Sequence, residues 1–323
     1  MATPTPNTTE YHILQHPTNP TRNTKYTTSS DKEWARRFKP ITKIIPRTNV
    51  VDGITYADFE PAFLPLFDDD RVRMGEPAVA PNPRQWRLES EADCENWFNS
   101  EISNVVLAAW TAYPDILQTS HTKPLTKENI SQNIDSTYST KVRGGGIRVP
   151  LVIGEMKRNL INPDDWQEGD ITRSVAQTRL SQELRGYSHK YQCPQVFCFD
   201  GATLLLLQFR ASKLDNIADE DCPVDCWVFP TSSSYCTLRY ALYRLLAQGW
   251  RRCQGMSAAG QLTVGGLREH TREFFSGRPI WNVDGVHSGD HPGGYQRSVD
   301  ATTGAVRWTH EEYPDVVAET LSF

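Results

Sequence analysis

Ile147-Arg148-Val149-Pro150-Leu151-Val152-Ile153-Gly154-Glu155-Met156-Lys157 runs apolar on both faces and then ends in charge. A short, aliphatic, β-branched run of this kind reads as a central strand covered on both sides. Pro150 has no N–H, so it must fall where the ladder needs no donor. Just upstream, Gly144, Gly145 and Gly146 supply the positive φ angles of a tight hairpin loop. The partner strand is then Asn133 to Val142. With the loop symmetric about Gly145, residues pair when their numbers sum to 290, which sets Asp135 opposite Glu155. Paired Cβ atoms lie about 5 Å apart. Lys157, two residues on, projects from the same face.

Two carboxylates opposed across a hairpin repel, which is unfavourable in a structural role. The same pair suits a hard divalent cation such as Mg²⁺, which takes oxygen ligands from one or two carboxylates. A lysine beside them can serve an attacking water or offset transition-state charge.

Working outward, Ser90 with Asp93 resembles a capping box, and Cys94, Trp97, Phe98, Ile102, Val105 and Ala109 recur at helical spacing. A helix is expected from Ser90 to Ala112, closed by Pro114. Glu91 and Glu101 lie near its apolar stripe. After the central strand, residues 158–170 read as a polar loop. A helix follows from Asp170, its expected cap, to Tyr191. Strands are expected at Gln195–Phe199 and Thr203–Phe209 about the Asp200-Gly201 turn, with another near Cys226–Phe229. Helices at Tyr235–Trp250 and Leu267–Phe275 and a Gly/His-rich tail complete the chain. The aromatic residues Tyr235, Tyr240, Tyr243 and Trp250 read as core, with a partner face as the alternative. This order predicts an α/β core with a mixed β-sheet flanked by helices.

The expected divisions are a basic, Thr/Pro-rich, largely irregular arm at 1–50, a connecting segment at 51–87, the main domain with its C-terminal helices at 88–275, and a tail at 276–323. The arm carries eleven threonines and eight Lys/Arg against three acids. It reads as a solvated tail, with a nucleic-acid contact as the alternative. The whole chain has 323 residues and a formal charge of −5, which excludes coating nucleic acid by bulk positive charge but not a locally basic cleft. No apolar run reaches the ~20 residues of a membrane-spanning helix. The start of the chain lacks a secretion signal, so a nuclear or cytoplasmic location is expected. The seven cysteines are read as reduced core fillers, and a zinc site at Cys222 and Cys226 is disfavoured by their spacing. In the tail, His287, His291 and His310 with Asp284 and Asp290 sit among glycines and read as a loop rather than a second metal site.

Asn133-Ile134-Asp135, the glycine turn and Val149 to Lys157 together resemble the PD-(D/E)xK nuclease superfamily. Gln182-Glu183-Leu184-Arg185-Gly186-Tyr187 and the following hairpin are similar to nuclease-like domains of fungal proteins. The resemblance covers residues 88–210. It implies a restriction-endonuclease-like core, here with an irregular N-terminal arm and a helical C-terminal extension. It also implies a Mg²⁺- or Mn²⁺-dependent nuclease acting on DNA or RNA. Asp135 and Glu155 would be metal ligands, with the Met156 carbonyl a third, and Lys157 would serve the water. Glu91 would complete the site, with Glu95 and Glu101 as rivals. A helix glutamine is implied as well: Gln182, though it stands five residues before Tyr187 rather than four, with Gln177 the other candidate. Pro114-Asp115 is a decoy for the motif's literal Pro-Asp. Arg143, Arg148, Arg158, Arg173, Arg179, Arg185 and Lys190 are candidate phosphate contacts in a mildly basic stretch. The competing reading keeps the nuclease fold as a nucleic-acid- or protein-binding module without turnover.

Overall fold

The computed structural model describes residues 7–64, 66, 68–112, 116–121, 131–141, 148–211, 213–257, 261–264, 268–274, 279–283, 286–288, 294–299 and 306–321. Its centre is a seven-stranded mixed sheet. The strands are β1 (Ile44–Pro46), β2 (Leu117–Ser120), β3 (Ser136–Lys141), β4 (Arg148–Met156), β5 (Gln195–Phe199), β6 (Thr203–Phe209) and β7 (Val224–Pro230). They lie in the order β1-β7-β6-β5-β4-β3-β2. The β4–β5 and β1–β7 pairs are parallel and the others antiparallel.

Alternation within the inner strands splits the core in two. Phe197, Phe199, Leu204, Leu206, Trp227 and Phe229 face one side with Met156. Val196, Cys198, Leu205, Leu207, Cys226 and Val228 face the other with Ile153. The first side is covered by a helical run that begins as α1 (Glu91–Phe98), and by α4 (Leu238–Ser257). The second is covered by α2 (Pro163–Glu168) and α3 (Val175–Lys190). Both faces of β4 and β5 are therefore dry, which is why these strands read as continuous apolar runs rather than alternating ones. Aromatic stacking ties α1 to β5: Phe98 lies 5.0 Å from Phe197 and Trp97 lies 5.3 Å from Phe199.

The α1 run starts with the expected capping box, Ser90 with Asp93. It continues through a π-turn at Asn99–Ser103 and ends at Trp110. Pro114-Asp115 and the Gly144–Gly146 loop lie outside the described residues. The 290 register holds for Ser136↔Gly154 to Tyr138↔Val152, then slips by one at Ser139↔Pro150. Leu151 is the extra residue of this bulge. Pro150 thus sits at a register shift and beyond the β4–β5 ladder, which starts at Ile153, where its missing N–H costs least.

Several expectations are corrected. The polar loop after β4 contains α2, capped by Asn162 and closed by Gly169 at φ 75°, with Trp166 fully buried. Helix α3 is capped by Ser174, not Asp170. The segment Arg268–Phe274 is a strand, not a helix; its polar-alternating sequence has no helical apolar stripe, and it pairs with Gln261–Val264 and Pro279–Val283. The C-terminal extension is therefore one helix followed by antiparallel strands, which continue through Tyr295–Val299, Val306–His310 and Tyr313–Leu321. Asp284, Asp290 and His291 lie outside the described residues, as does the side chain of His287.

The arm is the largest correction. It is sparse in regular structure but not free. Ile13 and Ile41 are completely buried, and β1 is a strand of the main sheet. Trp34 lies on α3 at Gly186, where an added Cβ would come within 2.6 Å of the indole. The connecting segment is also structured, with a hairpin at Thr48–Val51 and Ile54–Ala57 and a helix at Asp68–Gly75. These contacts are made residue by residue rather than with a period, so no periodic signal marks them.

Candidate active site

Asp135 lies immediately before β3, one step beyond the Ser136↔Gly154 pair. Its Oδ2 accepts a 2.6 Å hydrogen bond from the Met156 N–H. Glu155 is 1 % exposed and Lys157 3 % exposed, both on the α3 side of β4. The Lys157 ammonium donates to Glu155 Oε1 and lies 3.2 Å from Glu183 Oε1. Glu183 comes from α3 and is fully buried. A second ammonium enters from the arm: Lys32 Nζ is 2.9 Å from Glu155 Oε1, 2.7 Å from Glu183 Oε1 and 2.7 Å from the Tyr187 hydroxyl. Two carboxylates and two ammoniums thus alternate around one buried point. Ser30 caps the group by donating to Glu183 Oε2. Tyr187 donates in turn to the Asn133 carbonyl at 2.8 Å.

The electrostatics follow from burial in this ring. Burial alone would lower the Lys157 pKa, but Glu155 and Glu183 outweigh it and hold Lys157 protonated, above the ordinary lysine value. Lys32 is raised by the same balance. Glu155 is pushed well up, first by burial and then by the charges of Asp135 and Glu183. Burial also raises Asp135, against the Met156 hydrogen bond that favours its ionised form. Glu183 is held below the usual range: burial opposes its charge, and Lys157, a hydrogen bond with Glu155 and Lys32 together overcome that. Glu155 Oε2 is buried without a hydrogen-bond partner, an acceptor that costs free energy unless a cation or water meets it.

Glu91 stands at the start of α1, half-buried, and its pKa is raised by burial and by Asp135, with Lys157 acting in the opposite sense. It lies within electrostatic reach of the cluster, with Thr28 bonding its carboxylate. Glu95 pairs with His121, whose Nε2 is 2.8 Å from Glu95 Oε2 and whose Nδ1 is 3.4 Å from Asp135 Oδ1. Glu101 is taken elsewhere, bonded to the Trp86 indole at 3.2 Å and close to Arg239. Gln182 is not brought to the cluster; its amide donates to the Phe38 carbonyl at 2.9 Å. Gln177 is held by the Trp166 indole and the Leu160 carbonyl, each at 2.8 Å. Glu183 is the α3 residue that faces Glu155, four residues and one turn before Tyr187. Lys32, Ser30, Glu183 and His121 were missed as site residues. Only Glu183 carried a sequence signal, its four-residue spacing to Tyr187.

Most of the candidate phosphate contacts are committed elsewhere. Arg148 bonds the Ser139 carbonyl at 2.7 Å, Arg158 the Asn23 carbonyl at 3.1 Å, and Arg185 is fully buried. Arg173 pairs with Glu168 and Asp170, and Arg179 with Asp31. Arg143 lies outside the described residues. All seven cysteines are free, and Cys222 and Cys226 are buried. Tyr243 and Trp250 belong to the core, while Tyr235, before α4, is 72 % exposed.

Among the described residues, no three His, Cys, Asp or Glu side chains converge as a ready set of metal ligands. The donor chemistry nonetheless suits a hard divalent cation: Asp135 and Glu155 supply carboxylate oxygens, and Glu155 Oε2 is unsatisfied. No helix among the described residues is long and apolar enough to cross a membrane. The chain matches no protein-family model, no curated protein and no solved structure.

Proposed function

We propose that the protein is a Mg²⁺- or Mn²⁺-dependent nuclease with a restriction-endonuclease-like core, hydrolysing phosphodiester bonds of DNA or RNA. One observation carries the reading: Asp135, Glu155 and Lys157 converge at the end of a central strand, with an unsatisfied carboxylate oxygen among them. Asp135, Glu155 and the Met156 carbonyl would hold the cation, which would polarise the scissile phosphate. The Met156 N–H fixes the Asp135 carboxylate. Lys157, held protonated, offsets charge developing on the phosphate oxygens rather than acting as a base. Glu183 keeps the lysine charged and oriented, and Glu91 adds a further carboxylate at the rim.

The test is cleavage of single- and double-stranded DNA and RNA with Mg²⁺ or Mn²⁺, wild type beside Lys157→Ala. Loss of a group of this kind typically costs ~10²–10⁴ in rate. Full activity in the variant removes Lys157 from the mechanism. The second reading, a binding module without turnover, draws on Lys32, which balances Glu155 and Glu183 without a metal. Metal-independent binding with no cleavage of any substrate would favour it.

A further inference from the structure

A cleft of about 630 Å³ opens beside the site, lined by Arg37, Phe38, Lys39, Gln132, His189 and Lys190 among others. Its charge is lopsided. Three cations line it against one acid, Asp215, in a protein whose formal charge is −5. Two of the cations are held by neutral groups. Lys190 Nζ donates to the Gln132 side chain and lies 4.6 Å from the centre of the Trp34 ring. Arg37 stacks 5.3 Å from the Phe38 ring. Lys39 has only a 3.9 Å approach to Glu220, both side chains being 64 % exposed, which contributes little. His189 lies 5.7 Å from Phe38, and its Nδ1 is buried without a partner.

Asp215 and the distant Glu220 offset the three cations only in part, and Lys190 sits beside Arg37 with neutral partners. Its pKa is lowered to about 8, by burial first and by Arg37 second. Burial likewise lowers His189, which leaves it neutral at pH 7, able to donate one N–H. An anion would relieve the repulsion and satisfy these donors together.

The cleft also lies in line with the catalytic cluster. Trp34 separates Lys190 from Tyr187, at 4.9 Å between the Trp34 and Tyr187 rings, and Tyr187 bonds Lys32. Lys190 lies seven residues along α3 from Glu183, a rise of ~10 Å. Along one strand of a duplex, charges recur every ~3.4 Å of axis, so this distance corresponds to about three nucleotides.

We propose that the Arg37–Lys39–Lys190 cleft is a subsite for a backbone phosphate of the nucleic-acid strand, about three nucleotides from the scissile bond. This rests on the nuclease reading for its register, but not for the anion site itself. The contacts are to phosphate and carry no sequence preference.

The test measures binding in EDTA, where nothing is cleaved. The probe is a fluorescein-labelled twelve-nucleotide single-stranded DNA, read by anisotropy across salt concentrations. The full-length wild type is compared with the Arg37→Gln/Lys190→Gln double variant and with Arg173→Gln. Arg173 is an exposed control at the other end of α3, ~25 Å away at 1.5 Å per residue. The double variant should bind at least about fivefold more weakly, and its salt slope should fall by ~1.4, two contacts at ~0.7 each. Arg173→Gln should change neither. Inorganic phosphate should raise the Lys190 titration midpoint, followed by NMR of the labelled lysine. Unchanged affinity and slope in the double variant overturn the proposal. So does a wild type that binds phosphate but not the oligonucleotide, since the site then takes free anions only. Cleft-dependent binding without cleavage in Mg²⁺ would defeat the nuclease reading and leave the anion site standing.

Discussion

Replacing Gly249 by Ala sets two effects of opposite sign against each other. In a helix interior, Gly→Ala ordinarily stabilises by up to ~1 kcal/mol through propensity. Gly249, however, is where α4 rests on the site strand. An added Cβ would lie 2.8 Å from the Leu151 carbonyl carbon and 3.2 Å from its Cα, and closer still to the carbonyl oxygen. Ordinary carbon contacts are ~3.5–4.0 Å, so the surfaces must part by ~0.7–1 Å. The obstacle is backbone, which cannot rotate aside. Helix α4 would have to lift from β4, loosening Leu242, Leu245, Leu246 and Trp250, all buried in the same core. Overpacking costs ~1–3 kcal/mol, and the lifted contacts place this case at the upper end. The net expectation is ~2 kcal/mol of destabilisation, a Tm lower by ~3 °C for a chain of this size. Thermal and urea unfolding would measure it, with an unchanged m-value excluding an altered denatured state. Gly75→Ala is the control, because nothing lies within 4 Å of its added Cβ. A Gly249→Ala protein as stable as wild type, or more so, refutes the close-approach argument.

Three further outcomes are expected. Lys32→Met removes a cation that shares Glu155 Oε1 with Lys157, so calorimetric affinity for Mn²⁺ should rise roughly tenfold, about 1.4 kcal/mol; equal or weaker affinity would show that Lys32 does not compete there. His121 has its pKa raised, chiefly by the hydrogen bond to Glu95, which outweighs partial burial. Its folded value exceeds the unfolded one, so its contribution to stability is full below about pH 6.5 and is lost as pH rises through the raised value; Glu95→Gln should bring the NMR midpoint back down, and no movement would break the pairing. Removing residues 1–45 should lower the unfolding temperature sharply, because Ile13 and Ile41 are core and Lys32 neutralises the site; a truncated protein that melts like the whole chain would return the arm to the status of a tail.

The local chain decides a great deal here. The continuous apolar run into Glu155 and Lys157 marks the site strand from sequence alone, because strand periodicity is exact over a few residues. The 290 pairing beside Asp135, however, is restored by the bulge at Leu151: the pairs next to the glycine loop sum to 289. The Ser90–Asp93 cap and the Asp200-Gly201 turn are legible for the same reason: short-range hydrogen bonds settle them. The bulge at Leu151 was not legible, and neither was the strand at Arg268–Phe274, whose order comes from pairing with neighbours on both sides.

The completed cluster was decided by tertiary structure. Lys32 is 123 residues from Glu155 in sequence, and nothing periodic in the Thr/Pro-rich arm announces that it will lie on α3. Gln182 and Glu183 are adjacent, and only the packing rotation of α3 sends one to the Phe38 carbonyl and the other to Lys157. Sequence fixes which side chains a single element can present together, through periods of two or 3.6 residues. Which element then comes to meet them depends on non-periodic contacts among distant segments, and those exist only once the core has closed.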